Sequence, residues 1–162
     1  MLPAAVRLRT SLIAVAIVFS LAGPVAAAEE VPFKGSLDAV VTITPLDPPV
    51  ASVLIEGTGN ATQLGRFTIE VNALVNQATR TGIGLGTIVF TAANGDTLTA
   101  EGSGQATLVA PGVLSIVEPT TITGGTGRFA GATGSFVVER TFFVAAGVTT
   151  GSFAGTISTP GG

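Results

Sequence analysis

Few residues in this sequence could do chemistry, and three charged residues on predicted strands are the main candidates. Glu118, Arg140 and Glu70 each place a charge within an alternating, largely apolar segment, and we take them as candidate ligand-binding residues. A carboxylate held inside an apolar cavity can act as an acid, or can bind a hydroxyl or amine of a ligand. An inward-facing Arg140 would need Glu118 or Glu70 as a partner, because an unpaired buried charge is too costly.

The residue types that are missing exclude most familiar catalytic chemistry. The chain contains no His, Cys, Tyr or Trp. It therefore has no Ser-His-Asp triad, no thiolate nucleophile and no zinc site of the usual nitrogen or sulfur kind. We expect no metal and no cofactor, and we assign no catalytic residue.

Period-2 stretches recur along residues 29–162, and no segment there has the apolar spacing of an amphipathic helix. The sequence predicts eight strands, near Phe33–Thr44, Ser52–Gly57, Gln63–Asn76, Gly84–Ala92, Asp96–Val109, Val113–Thr123, Gly134–Ala145 and Gly151–Ser158. The prolines at 45, 48 and 49 predict a turn between the first two strands. Asn94-Gly95 predicts a hairpin with a type I′ turn that pairs the fourth and fifth strands.

The predicted architecture is all-β, an eight-stranded antiparallel barrel formed by one domain, residues 29–162. Short links and few charges at strand edges favour closure, since a closed sheet has no edges to protect. A two-sheet sandwich of the immunoglobulin type is the alternative, although the chain lacks the core Trp and the Cys pair of that fold.

Alternation along the strands leaves the orientation of the charged candidates open. Glu118 shares a face with Ile116 and Ile122 and would point inward with them. We favour the reading in which Pro119 marks a bulge that turns Glu118 to solvent. For Arg140 we favour a place near the barrel mouth, with its stem packed and its head in water.

The strand Asp96–Val109 has one face made of small residues. If this face points inward, it leaves either tight packing against the opposite wall or a void that a ligand could fill. We expect packing, because protein interiors are filled to crystal-like density. This face carries Leu98, Ala100, Gly102, Gly104 and Ala106.

The segment Ile122–Gly134 resembles a signature shared by plant dirigent proteins and allene oxide cyclases. Its core is Gly-Gly-x-Gly-x-Phe, with Gly124, Gly125, Gly127 and Phe129 as the structural turn. Segments 57–62 and 64–68 are similar to secreted bacterial proteins grouped with the same barrel. The resemblance implies an eight-stranded barrel whose cavity, in those families, holds an apolar small molecule. It transfers no active-site residue, because this chain lacks the tyrosines of those pockets.

The first 28 residues predict a signal-peptide helix. Arg7 and Arg9 precede an apolar run over residues 12–21, and Ala26-Ala27-Ala28 forms a small-residue cleavage site. We expect cleavage after Ala28, a secreted or periplasmic location and no stable membrane insertion afterwards. The remaining chain has five basic and ten acidic residues, which argues against nucleic acid and against anionic membranes as partners.

Three functions remain open from the sequence. The first is non-catalytic binding of a small apolar ligand or of a partner surface. The second is an isomerase or cyclase in which an apolar cavity positions a reactive substrate. The third is a structural protein of the envelope or matrix. A homo-oligomer is possible in each case.

Overall fold

The computed structural model describes residues 29–160, and the predicted signal peptide, residues 1–28, lies outside that range. The described chain is all-β apart from one short 3₁₀ turn, Gly127–Phe129. It includes no helix that is long and apolar enough to span a membrane. The ten strands are β1 Glu30–Pro45, β2 Val50–Ala61, β3 Gly65–Asn76, β4 Thr81–Gly82, β5 Gly86–Ala92, β6 Thr97–Gly102, β7 Gln105–Ala110, β8 Val113–Gly125, β9 Thr133–Phe143 and β10 Val148–Ser158.

Eight strands close into one antiparallel ring, which confirms the predicted barrel. Around the ring the order is β1, β2, β3, β5, β6, β8, β9 and β10, and β10 pairs with β1 to complete it. Buried and exposed residues alternate along the strands, because closure of the ring places one face of each strand inside the barrel and the other outside. In β9, for example, Phe136, Val138 and Phe142 are buried while Val137 and Glu139 are exposed.

Two positions in the ring are each divided between two strands, at the same level of the barrel. The predicted strand Asp96–Val109 is divided into β6 and β7 at Ser103-Gly104, and β4 precedes β5 across residues 83–85. The short β4 pairs with β7, while β5 pairs with β6. Each interrupted pair occupies one position in the ring, so the count of eight is preserved.

The hairpin between β5 and β6 forms where it was predicted, but its turn is of a different type. Gly95 has a positive φ of 89°, whereas Asn94 is not among the residues with positive φ. The N–H of Gly95 donates to the carbonyl of Ala92, and the N–H of Ala92 donates to the carbonyl of Asp96. These bonds define a three-residue loop with glycine in the left-handed position, so the type I′ prediction was wrong.

The glycine-rich turn of residues 124–129 folds back against the β5–β6 hairpin. A Cβ on Gly125 would collide with the backbone oxygen of Thr97 and lie 2.8 Å from the Cβ of Phe129, so only glycine fits. Gly127 has a φ of 56°, a conformation that favours glycine. The turn brings Phe129, which is buried, into the core.

The two ends of the barrel differ. At one end, called the closed end, lie the turns 62–64, 93–96 and 126–132; at the other, the open end, lie 46–49, 77–80, 111–112 and 144–147. Five aromatic rings with centroids 5.0–6.2 Å from their neighbours fill the barrel towards the closed end. This phenylalanine cluster consists of Phe33, Phe67, Phe90, Phe136 and Phe153.

Candidate ligand-binding cavity

The open half of the barrel contains a cavity of about 270 Å³. Its wall is mainly aliphatic and is contributed by every strand of the ring except β10. The apolar lining includes Val41, Val53, Ile55, Val71, Ala73, Val75, Ala106, Leu114, Ile116 and Phe142. The barrel interior is therefore filled in the half that the phenylalanine cluster occupies and leaves a void in the other half.

Glycines lie at the two strand interruptions and form part of the cavity wall. Five of them line the cavity without contributing a side chain, namely Gly82, Gly84, Gly86, Gly102 and Gly104. The small face of β6 and β7 therefore has two outcomes: Leu98 and Ala100 are fully buried, whereas Gly102, Gly104 and Ala106 border the void. The expectation of uniform packing along this face was wrong beyond Ala100.

Glu118 points into the barrel, contrary to the orientation that we favoured from the sequence. Its neighbours on the inner face of β8, Ile116, Thr120 and Ile122, are buried as well. The register between β8 and β9 runs without a shift through Glu118 and Pro119. On the other side of β8, the pairings with β7 end at Val117 and those with β6 begin at Thr120. Pro119 thus lies opposite the interruption between β6 and β7, where its missing N–H disturbs no ladder.

Arg140 also faces inward and forms an ion pair with Glu118. The guanidinium Nη2 lies 3.7 Å from Oε2 of Glu118, and their side chains are 12% and 9% exposed. Nη1 lies 3.5 Å from the hydroxyl oxygen of Thr149, which itself donates to the carbonyl of Thr141. Burial lowers the pKa of Arg140, and the charge of Glu118 partly offsets this effect. A mouth position with a wet head group is therefore not what the structure shows for Arg140.

The ion pair forms the polar floor of the cavity, above the phenylalanine cluster. At 3.7 Å the contact with Arg140 is longer than a typical hydrogen bond, so it is chiefly an attraction between opposite charges. No side-chain oxygen or nitrogen in that range is both fully enclosed and without a partner. The Glu118 side chain lines the cavity, where its carboxylate can accept a hydrogen bond from a bound molecule.

Glu70 lies on the outer face of β3 and does not reach the cavity. Its Oε1 accepts a hydrogen bond from Nδ2 of Asn72, 2.8 Å away. Of the two acids proposed as partners for Arg140, Glu118 pairs with it and Glu70 is exposed to solvent.

Sequence reasoning missed the polar residues at the mouth of the cavity. Asn76, Gln77 and Arg80 line it. Oδ1 of Asn76 accepts hydrogen bonds from the N–H groups of Ala78 and Thr79, and Arg80 has a positive φ of 58°. The signal for this turn was the asparagine that ends the third predicted strand, because asparagine side chains commonly bond to the backbone two residues further on.

The fold is that of a dirigent-like barrel, as the glycine-rich turn predicted. The solved structure of a pterocarpan synthase dirigent protein matches this chain with a TM-score of 0.57 at 14% sequence identity. The match covers 89% of this chain and 99% of that one. Neither a protein-family model nor a curated protein matches the sequence. At this identity the likeness defines the architecture, and the role of each side chain has to be argued from its own surroundings.

Proposed function

We propose that this protein binds, without transforming it, a small and largely apolar molecule that carries a hydrogen-bonding group at one end. The observation that carries the proposal is the Glu118–Arg140 pair at the floor of an otherwise aliphatic cavity. Apolar walls with a few convergent polar groups are typical of ligand sites, since the walls supply affinity and the polar groups fix orientation.

The cavity restricts the size of the ligand. Pockets for drug-sized molecules span about 300–1,000 Å³, and this cavity of about 270 Å³ lies just below that range. A molecule of one or two rings, or a short branched chain, would fill it. A longer molecule would project through the mouth past Asn76 and Arg80.

A matched pair of substitutions tests the site. Ala106→Leu adds a side chain inside the cavity from β7, while Ala154→Leu makes the same change on the exposed outer face of β10. The probe is 1-naphthylamine, a neutral two-ring fluorophore whose amino group can donate a hydrogen bond. We expect Ala106→Leu to weaken probe binding about tenfold or more, because it removes the volume that the probe occupies, and Ala154→Leu to leave binding unchanged.

Equal binding by both variants and the native protein would place the probe elsewhere and would contradict the proposal. Circular dichroism of both variants shows whether the barrel has folded. Native mass spectrometry of the protein purified from its source then identifies the ligand, because a retained molecule adds its own mass.

An isomerase or cyclase is the second candidate, and one observation favours it. A carboxylate open to the cavity beside a guanidinium could exchange a proton with a bound substrate while the positive charge stabilises the product of that transfer. Incubation with the molecule found by mass spectrometry separates the two functions. Its recovery unchanged supports binding, and conversion by the native protein but not by Glu118→Gln supports catalysis. A purely structural role is less well supported, because it does not explain an aliphatic cavity with a charged pair at its floor.

We also propose that the protein acts after export. If residues 1–28 are removed, protein recovered from the bacterial periplasm or medium should have the intact mass of a chain that begins at Glu29. Sedimentation of that material measures whether it forms a homo-oligomer.

A further inference from the structure

The guanidinium of Arg140 has more hydrogen-bonding capacity than its two protein contacts use. An arginine side chain carries five N–H donors. One contact runs from Nη1 to the hydroxyl of Thr149 at 3.5 Å, and the other from Nη2 to Glu118 at 3.7 Å. Since no side-chain nitrogen of the described range is both fully enclosed and without a partner, the remaining donors are accessible from inside the barrel.

Partners for these donors have to come from the cavity side. Arg140 borders two internal spaces, the ligand cavity above it and a void of about 20 Å³ below it. The other residues that line the small void are all hydrophobic. A water molecule needs two to four polar partners to be held, and this void offers it Arg140 alone. The accessible donors are therefore satisfied only by something that occupies the cavity.

The floor of the cavity is electrically neutral as a whole, because Glu118 and Arg140 carry opposite charges. The side chains around this pair are mainly aliphatic. A charged group of a ligand would add a net charge to this apolar site, and two like charges would then share one partner. An uncharged group adds no net charge and can still form hydrogen bonds with both residues.

We infer that the ligand ends in an uncharged polar group that donates a hydrogen bond to Glu118 and accepts one from Arg140, as a primary carboxamide or a lactam does. The inference rests on the proposed function and specifies the chemical class of its ligand. An amide presents an N–H and a carbonyl oxygen side by side, which suits an acceptor and a donor from the paired strands β8 and β9. Thr149 on β10 holds the donor in place, since its hydroxyl donates to the carbonyl of Thr141 and therefore faces Arg140 as an acceptor.

Four naphthalene derivatives that differ only at the polar end test the inference by isothermal titration calorimetry. The expected class is represented by 2-naphthamide. In 2-acetonaphthone a methyl group replaces the amino group, 2-naphthoate carries a carboxylate, and 2-naphthamidine carries a cationic amidinium. We expect the amide to bind about tenfold or more tightly than each of the others. The ketone has no N–H for Glu118, and each ion brings a net charge to the floor.

A change of charge at the floor should reverse this preference. Glu118→Gln removes the negative charge and leaves Arg140, so 2-naphthoate should bind about tenfold more tightly than the amide. The control Glu139→Gln makes the same change on the exposed outer face of β9 and should keep the native order. Circular dichroism shows whether both variants fold. If Glu118→Gln does not, the double variant Glu118→Leu/Arg140→Met replaces it and should bind the amide and the ketone equally.

Equal binding of the four derivatives by the native protein overturns the inference, and so does tightest binding of either ion. Tightest binding of 2-naphthoate would assign recognition to Arg80 at the mouth, the one other charged side chain among the described residues that line the cavity. Ala106→Leu separates these failures from a failure of the proposed function. If it weakens whichever derivative binds, the cavity is the ligand site and only the class of the polar group is wrong. If it weakens none, or if none binds, both proposals are wrong.

Discussion

Replacing Glu118 with leucine should destabilise the protein by about 3 kcal/mol, because it leaves Arg140 charged and unpaired in the barrel. At 3.7 Å two unit charges attract each other by about 4 kcal/mol at an effective dielectric constant of 20. Removing one partner of a buried pair typically costs about 3–5 kcal/mol. We expect the lower part of this range, since the Arg140 side chain retains 12% exposure towards the cavity. In a domain of this length the loss corresponds to a fall in Tm of about 10 °C.

The double variant Glu118→Leu/Arg140→Met separates the cost of an unpaired charge from the value of the pair. Buried ion pairs recover roughly what their desolvation costs, so replacing both partners with apolar groups is often neutral. We expect the double variant to lie within about 1 kcal/mol of the native protein. It should nevertheless bind the naphthylamine probe in a less fixed orientation, because the polar floor is gone.

Urea denaturation followed by far-ultraviolet circular dichroism measures both effects, and the absence of Trp and Tyr rules out the usual fluorescence signal. The slope of the unfolding free energy against urea concentration should be the same for all variants, so that a shift of the midpoint reports a change in stability. The reasoning is refuted if Glu118→Leu unfolds within about 0.5 kcal/mol of the native protein, a difference typical of ordinary surface positions. It is refuted equally if the double variant is as unstable as the sum of its two single changes.

Three further outcomes are expected from other parts of the barrel. Phe90→Ala removes a fully buried ring at the centre of the phenylalanine cluster and should cost about 3–5 kcal/mol in urea denaturation. Gly125→Ala places a Cβ against a β6 backbone carbonyl and should cost about 3 kcal/mol or prevent folding, which expression and circular dichroism reveal. The pKa of Asp96 is lowered chiefly by the side-chain hydrogen bond from Asn94 and also by the backbone N–H of Arg128. The stabilisation that Asp96 provides is therefore present above its unfolded pKa and lost as pH falls through the lower folded value, so a Tm series from pH 6 to pH 2 should fall less steeply for Asp96→Asn.

The barrel and its strand count could be predicted because they depend on local pattern. Alternation along β8 and β9 already placed Glu118 beside Ile116 and Arg140 beside Val138. What misled the interpretation was Pro119, which was read as a bulge. A proline interrupts a ladder only where a neighbouring strand needs its N–H, and the neighbour of Pro119 is itself interrupted there. That relation joins residues about fifteen positions apart and requires the register between strands, which no local pattern supplies.

The cavity could not be predicted for a similar reason. The sequence showed a small face on the strand that carries Gly102 and Gly104, but whether such a face packs or leaves space depends on the side chains across the barrel. Near the closed end, Leu98 on that strand pairs in register with Phe90 and is fully buried. Near the open end, the glycines of two interrupted strands lie at one level, and aliphatic side chains on the other strands do not fill the gap. This difference is a property of the closed ring.

The phenylalanine cluster has a consequence for how quickly bound molecules are exchanged. Since the rings block one end of the described barrel, a bound molecule has to leave by the opening through which it entered. A second ligand has no separate route into the cavity and cannot displace the first one directly. Replacement then proceeds at the dissociation rate of the occupant, however much competitor is added. The residence time of a ligand is set by its contacts with the floor and walls. A ligand that is scarce but dissociates slowly would therefore remain bound in the presence of an excess of weaker ligands.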